Sequence, residues 1–275
     1  MNYKIVVDSS SNLTSDYLKD EEVGFEVVPL TIRIDNKEFI DNDALNVDEM
    51  LSSLNGAKKA SSSCPSPNDF YKAYEGAEHV IVVTISSKLS GSFNSARVAK
   101  DMFDKPDNVL LIDSKLVAGA MRLLVNKAYA LIKEGKDFRS ICDELTSYRD
   151  SLKLLFVLDK FDNLVRNGRM NKIVAFVASL AAIKPLCYGE DGEIKIKEKI
   201  RTFSGVLKRL NIYIGKMCPN LKDRQIIISH TNNEKDALTL KAMIEQEYNF
   251  TNIIIEKNRG LCAFYSLNGG IIVSF

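Results

Sequence analysis

Three short segments rich in hydroxyl side chains are the strongest candidates for a binding function. They span residues 8–12 (DSSSN), 61–67 (SSSCPSP) and 86–92 (SSKLSGS). Each is also well suited to helix capping, because Ser, Asp and Asn side chains satisfy the free N–H groups at helix starts. Capping and ligand binding both remain possible for each segment taken alone.

Together the three segments predict an anion site. All three lie next to predicted strand ends, on one edge of an open sheet. The start of a helix at Ser90, Gly91 and Ser92 offers N–H groups, hydroxyls and the positive end of the helix dipole. Gly91 would let a ligand approach the backbone closely. These groups can hold a carboxylate or a phosphate, but they do not break bonds.

Motifs of the common catalytic classes are absent from the sequence. The chain contains no GxSxG, GxGxxG, GxxxxGK[ST] or HExxH pattern, and its five cysteines have no zinc-type spacing. We therefore predict no catalytic residue, no metal and no cofactor. The alternative is an enzyme acting on a small anion, with Asp8 or His230 as general base, although an Asx turn explains Asp8 better and a histidine at this place is more often structural.

Composition limits the partners. The chain has 275 residues, 45% of them hydrophobic, and 37 Lys and Arg balance 36 Asp and Glu to a formal charge of +1. A nearly neutral chain without a basic run has no electrostatic reason to bind nucleic acid or an anionic membrane. Residues 1–10 resemble a strand rather than a signal peptide, and no apolar run is long enough for stable membrane insertion. We expect a cytoplasmic protein with reduced cysteines.

The elements that would position these residues alternate between strands and helices, which indicates an α/β fold. Apolar strand candidates cover residues 4–7, 25–30, 80–85, 109–112, 154–158, 225–229, 252–255 and 270–274. Helix candidates cover residues 68–75, 90–101, 116–133, 137–149, 171–183, 205–216 and 234–247.

We predict two α/β domains with the ligand between them. The first, residues 1–155, carries an open and mostly parallel sheet with helices on both faces, as well as the hydroxyl-rich loops. The second, residues 156–275, has a mixed sheet, because residues 193–201 (EIKIKEKIR) alternate like a half-exposed antiparallel strand. The last strand belongs to the second domain or packs back on the first.

An apolar segment at residues 172–186 (KIVAFVASLAAIKPL) has two interpretations. It forms a buried core helix, or its small residues leave a groove beside the helix for an apolar ligand. A groove next to an anion site would fit an amphipathic molecule, since each buried CH₂ contributes about 0.8 kcal/mol. In that case Ile173, Phe176, Val177 and Leu180 would line a tail pocket.

The order of several motifs resembles the DegV family of fatty-acid-binding proteins over essentially the whole chain. The matching segments are VVDSSSNL (6–13), SSCPSP (62–67), SSKLSGSFNSA (86–96), LIDSK (111–115), LVRNGRMNK (164–172), AFVASLAAIKPL (175–186), EKIRT (198–202) and a closing Gly-rich strand.

The resemblance implies a long-chain fatty acid whose tail is buried in the second domain. Carboxylate contacts would come from Ser62, where the family usually has Thr, and from Ser90, with Ser63, Gly91 and Ser92 in supporting loops. It also implies that the protein presents the carboxylate to a separate fatty acid kinase, which forms an acyl phosphate. Arg201 matches a family arginine near the head group or the kinase surface, and a surface salt bridge explains it equally well.

The chain departs from the family at its C-terminal turn. Many members have His-x-Gly-Pro-Gly, whereas residues 266–270 here read SLNGG, so Ser266 replaces the histidine that reaches the carboxylate. Ser266 could donate in its place, directly or through water. The loss of the imidazole affects kinase handover more than lipid binding. A lipid-sensing regulatory module would use the same site and is a further alternative.

Overall fold

Consecutive apolar residues form a four-stranded parallel sheet in the first half of the chain. The computed structural model describes residues 1–170, 183–218, 224–248 and 252–275. The strands are β1 (Tyr3–Asp8), β2 (Val23–Val28), β6 (His79–Thr84) and β7 (Val109–Asp113), in the order β2-β1-β6-β7. All three pairings are parallel, which agrees with the prediction of an open parallel sheet.

Helices cover both faces of this sheet, because its strands are buried on both sides. Helices α2 (Pro67–Tyr74) and α3 (Ser92–Met102) pack on one face, where Val6, Val80 and Val82 are buried. Helix α4 (Gly119–Lys133) packs on the other face and is followed by α5 (Phe138–Ser151). This part of the predicted fold is confirmed.

The second half forms a six-stranded mixed sheet in the order β10-β9-β8-β13-β11-β12. Its strands are β8 (Leu154–Val157), β9 (Lys184–Glu190), β10 (Glu193–Ile200), β11 (Ile226–His230), β12 (Ile253–Lys257) and β13 (Ile271–Ser274). Only the β11–β12 pairing is parallel, and β10 is antiparallel to β9, as its alternation predicted. All of β8 lies in this sheet, and β13 lies between β8 and β11.

Helix α4 also contacts the second sheet, so one core joins the two halves of the chain. Helices α7 (Phe203–Met217) and α8 (Glu234–Tyr248) are associated with a separate core that buries Leu155, Val157 and Ile228. The alternate residues Leu154, Phe156 and Ile227 belong to the core that contains α4. A Cβ at Gly119 would come within 2.8 Å of Ile227, so Gly119 permits the close approach of α4 to this sheet.

A third, small sheet was not predicted. Strands β3 (Thr31–Ile34), β4 (Lys37–Ile40) and β5 (Ala60–Ser63) are antiparallel, in the order β4-β3-β5. The segment around Ser62 is therefore partly a strand, paired with Ile32, and does not follow a strand of the first sheet as expected. Short helices α1 (Val47–Ser53), α6 (Asp162–Arg166) and α9 (Gly260–Ser266) were also not predicted.

Candidate functional site

A largely apolar cavity lies between loops of the first half and the second sheet. It encloses about 830 Å³ of space outside the protein atoms, including part of its opening to solvent. The apolar side chains of its wall are Leu30, Ile85, Leu89, Leu116, Val117, Leu154, Phe156, Leu158, Leu164, Ile194, Leu261 and Ile272.

Several polar side chains line the same wall, and we call four of them, Ser62, Ser90, Arg169 and Tyr265, the polar cluster. The hydroxyls of Ser62 and Tyr265 are 2.8 Å apart. The guanidinium of Arg169 lies over the Tyr265 ring, 5.7 Å from its centre, and donates through Nε to the Leu89 carbonyl at 3.1 Å. The cluster therefore combines hydroxyl donors with one positive charge.

Strand β5 presents Ser62 and Ser63 in opposite directions, because side chains alternate along a strand. Ser62 lines the cavity, whereas the Ser63 hydroxyl accepts a hydrogen bond from Arg33 Nη1 at 3.4 Å. Ser63 is not among the described residues that line the cavity. The alternation of side chains therefore leaves Ser62 as a candidate donor to a ligand and directs Ser63 away from the cavity.

The loop before α3 contributes Ser90 to the cavity. Gly91 was expected to let a ligand approach the backbone, but it lies against Cys64 instead. A Cβ at Gly91 would lie 2.9 Å from the Cys64 sulfur, so the position is occupied by protein rather than open to a ligand. This close approach brings the loop of Ser90 against the loop that follows Ser62. Ser92 is the first residue of α3, and its hydroxyl lies 3.0 Å from that of Ser90.

Ser266 also lines the cavity, but its hydroxyl is engaged by the protein. It donates to the Cys262 carbonyl at 2.6 Å, lies 2.5 Å from the Thr231 hydroxyl, and accepts from Asn258 Nδ2 at 3.3 Å. A serine hydroxyl has one hydrogen to donate. Since that hydrogen goes to Cys262, Ser266 has none left for a ligand in this arrangement, unlike Tyr265 beside it.

Tyr265 and Arg169 are the two residues of the polar cluster that sequence reasoning did not assign. Burial raises the pKa of the Tyr265 phenol, so this group remains a neutral O–H donor at physiological pH. Arg169 lies inside the LVRNGRMNK segment and Tyr265 lies next to Ser266, so the sequence carried a signal for both. Neither signal indicated that the two side chains stack.

The two candidate general bases are engaged elsewhere. Asp8 is fully buried and accepts from the Ile85 and Ser10 N–H groups at 2.8 and 3.1 Å, and burial raises its pKa to about 6. His230 is buried, which lowers its pKa, and its Nδ1 accepts from the Asn233 N–H at 3.2 Å. Neither residue is among the described residues that line the cavity.

The remaining predicted residues lie away from the cavity wall or outside the described chain. Arg201 is exposed between β10 and α7. The proposed tail-pocket residues Ile173, Phe176, Val177 and Leu180 lie outside the described residues. Within the described ranges, no group of three His, Cys, Asp or Glu side chains could hold a metal ion. None of the helices described there is both long and apolar enough to cross a membrane.

The fold and site define a class of proteins: two α/β units with an apolar cavity and a small polar cluster in its wall. The family model described as "Uncharacterised protein, DegV family" matches residues 2–273. The chain belongs to the DegV family. A DegV domain-containing protein from Streptococcus gordonii is 39% identical, and the match covers 100% of this chain and 99% of that protein.

Solved structures of relatives contain fatty acids. The Streptococcus pneumoniae Fatty Acid Kinase (Fak) B3 protein, loaded with linoleic acid, is 34% identical with a TM-score of 0.93, and the match covers 100% of this chain and 99% of that chain. A DegV family protein from Eubacterium eligens, loaded with heptadecanoic acid, is 30% identical with a TM-score of 0.90, and covers 99% and 98%.

Proposed function

We propose that this protein is a non-catalytic carrier that holds a long-chain fatty acid in the described cavity and presents its carboxylate to a separate fatty acid kinase. The observation that carries the proposal is the chemistry of the cavity wall, which is largely apolar and also carries the hydroxyls and the guanidinium of the polar cluster, with Lys115, Glu193 and Ser266 as its other charged or hydroxyl-bearing residues. Such a wall matches a molecule with a hydrocarbon tail and one acidic end.

The polar cluster supplies the interactions that a carboxylate needs. Ser62, Ser90 and Tyr265 offer hydroxyls, and Arg169 offers a positive charge in a partly buried position. Hydrogen bonds to charged groups contribute about 1.5–3 kcal/mol each. Burial of the hydrocarbon tail adds about 0.8 kcal/mol per CH₂, so the tail supplies most of the affinity.

The proposal that the protein presents its lipid to a kinase is supported by the similarity to the Fatty Acid Kinase (Fak) B3 protein of S. pneumoniae. A carrier of this kind leaves the chemistry to its partner. Asp8 and His230 are buried and hydrogen-bonded within the protein, which favours a carrier over an enzyme that uses either residue as a base.

Native mass spectrometry of the purified protein tests the lipid ligand. We expect a bound mass equal to a C14–C18 fatty acid, and we expect delipidated protein to bind palmitate or oleate. Protein that carries no acid after gentle purification and takes up neither added acid contradicts the proposal.

A second assay tests the carrier role. Protein loaded with oleate should support ATP-dependent acyl phosphate formation by the catalytic subunit of a bacterial fatty acid kinase, and should show no turnover alone. Ser62→Ala is the matched variant, expected to reduce acyl phosphate formation, while Ser63→Ala on the opposite face of β5 should behave like the wild type. Turnover of a small anionic substrate by the isolated protein favours the enzyme hypothesis instead.

A further inference from the structure

A buried carboxylate connects the small sheet to the start of α9. Asp41 directly follows β4 and is 2% exposed. Its Oδ2 accepts a hydrogen bond from the Leu261 N–H at 2.9 Å, and its own N–H donates to the Leu30 carbonyl at 2.9 Å. Asp41 therefore attaches α9 to the end of the β3–β4 hairpin, which it directly follows.

Gly260, the first residue of α9, leaves the space that this carboxylate occupies. A Cβ built at Gly260 would lie 1.7 Å from Asp41 Oδ1, so any larger residue displaces either the carboxylate or the helix. Nearby contacts hold the same segments together. Arg259 donates to the Asn42 carbonyl at 3.1 Å, and its N–H donates to Asn12 Oδ1 at 3.0 Å.

Helix α9 brings four residues to the cavity wall, namely Leu261, Cys262, Tyr265 and Ser266. The Tyr265 hydroxyl lies 2.8 Å from Ser62, which belongs to the same small sheet as the hairpin before Asp41. The small sheet thus contacts α9 near both ends, through Asp41 at its start and through Ser62 near its last turn.

We propose that Asp41 is a positioning residue that fixes α9 against the small sheet and so sets the placement of the Tyr265 hydroxyl in the polar cluster. The inference rests on the proposed function for its effect on lipid binding. A buried carboxylate costs stability unless its interactions compensate. Burial raises the pKa of Asp41 to about 6, which shows that the ionised form is disfavoured at this position. A role in positioning α9 would explain why a carboxylate is kept at this buried position.

Tyrosine NMR separates positioning from lipid binding. The signal of Tyr265, in protein labelled at tyrosine Cζ and assigned with Tyr265→Phe, is compared among wild type, Asp41→Ala, Asp41→Asn and Ser62→Ala. We expect Asp41→Ala to shift the Tyr265 signal in the same direction as Ser62→Ala. Asp41→Asn keeps an acceptor for the Leu261 N–H and should leave the signal near its wild-type position. Asp48→Ala, which removes an exposed carboxylate on α1, is the control.

Palmitate affinity of the same variants tests the functional consequence. We expect Asp41→Ala to weaken binding about tenfold, equivalent to one weakened hydrogen bond to a charged group, and Asp41→Asn to restore it to within about threefold. If the alanine variant does not fold, Asp41→Ser, which retains a short acceptor, is interpreted by the same criteria.

The outcomes are distinct. A Tyr265 signal that stays at its wild-type position in folded Asp41→Ala overturns the inference, whether or not stability falls. A shifted signal in a protein whose wild type binds no palmitate leaves the positioning role intact and refutes the proposed function. A shifted signal with unchanged palmitate affinity supports the positioning of Tyr265 by Asp41 and refutes its effect on lipid binding.

Discussion

The hydroxyls of Ser62 and Ser266 line the same cavity but should contribute differently to lipid binding. Ser62 and Tyr265 form a pair in which one hydroxyl donates to the other, and the remaining hydrogen is available to a carboxylate. Replacing Ser62 with Ala removes one donor from this pair. A hydrogen bond to a charged group contributes about 1.5–3 kcal/mol, so the dissociation constant for palmitate should rise about 10- to 150-fold.

Replacing Ser266 with Ala should mainly change stability. Its hydrogen is used by the Cys262 carbonyl, and its oxygen accepts from Asn258. We expect palmitate affinity within about threefold of the wild type. The free energy of unfolding should fall by about 1–3 kcal/mol, because Asn258 and Thr231 lose a buried partner.

Displacement of a fluorescent fatty acid at pH 7.5 measures affinity, and urea unfolding of delipidated protein measures stability. Tyr265→Phe is the companion variant, expected to weaken binding to an extent similar to Ser62→Ala. The reasoning is wrong if Ser266→Ala weakens palmitate binding as much as Ser62→Ala does, because the hydroxyl of Ser266 would then reach the ligand despite its internal bonds.

Three further predictions concern stability and chain length. Burial raises the pKa of both Asp8 and Asp41 from 3.8 to about 6, so the folded chain binds more protons than the unfolded chain in this window. The free energy of unfolding should therefore decrease as pH rises from about 4 to 6, by about 3 kcal/mol per group. Urea unfolding at several pH values should show a smaller decrease for Asp41→Asn than for the wild type. A free energy of unfolding that increases over this pH range contradicts the raised pKa of the two carboxyl groups. Competition with saturated acids should show affinity rising about fourfold per added CH₂ until the cavity is filled, and equal affinity for C8 and C14 acids would argue against an acyl pocket. Arg122 on α4 forms an ion pair with the mostly buried Glu256 on β12. Arg122→Met should therefore lower the free energy of unfolding by about 3 kcal/mol, and the additional change Glu256→Gln should recover part of this loss in a thermal unfolding assay. Equal stability of Arg122→Met and the double variant would show that the unpaired Glu256 carboxylate does not cause the loss.

The strand pattern of the two large sheets could be predicted from the sequence because burial on both faces leaves a continuous apolar run. Residues 80–85 and 225–229 show such runs, and each corresponds to a central or near-central strand. The small sheet could not be predicted in this way. Strand β5 has the sequence ASSS and is only partly buried, so its strand conformation depends on pairing with β3 rather than on its own composition.

The candidate site was partly predictable for a related reason. Ser62 and Ser90 stood out as hydroxyls in loops, and they do line one cavity. One hydrogen-bond partner of Ser266, Thr231, is 35 residues away in sequence, so this part of its internal bonding could not be inferred from local pattern. Helix α9 was missed because it has only seven residues and six of them are buried, which leaves no alternation of polar and apolar faces.

The position of β13 has a consequence for how the chain acquires its structure during synthesis. This strand is inserted between β8 and β11, and Phe275 just beyond it is fully buried and exchanges backbone hydrogen bonds with Lys153. Until residues 271–275 have left the ribosome, β8 and β11 each lack their β13 partner and retain an unpaired edge. Unpaired edges invite aggregation, so the second half of the nascent chain depends on rapid release or on chaperones.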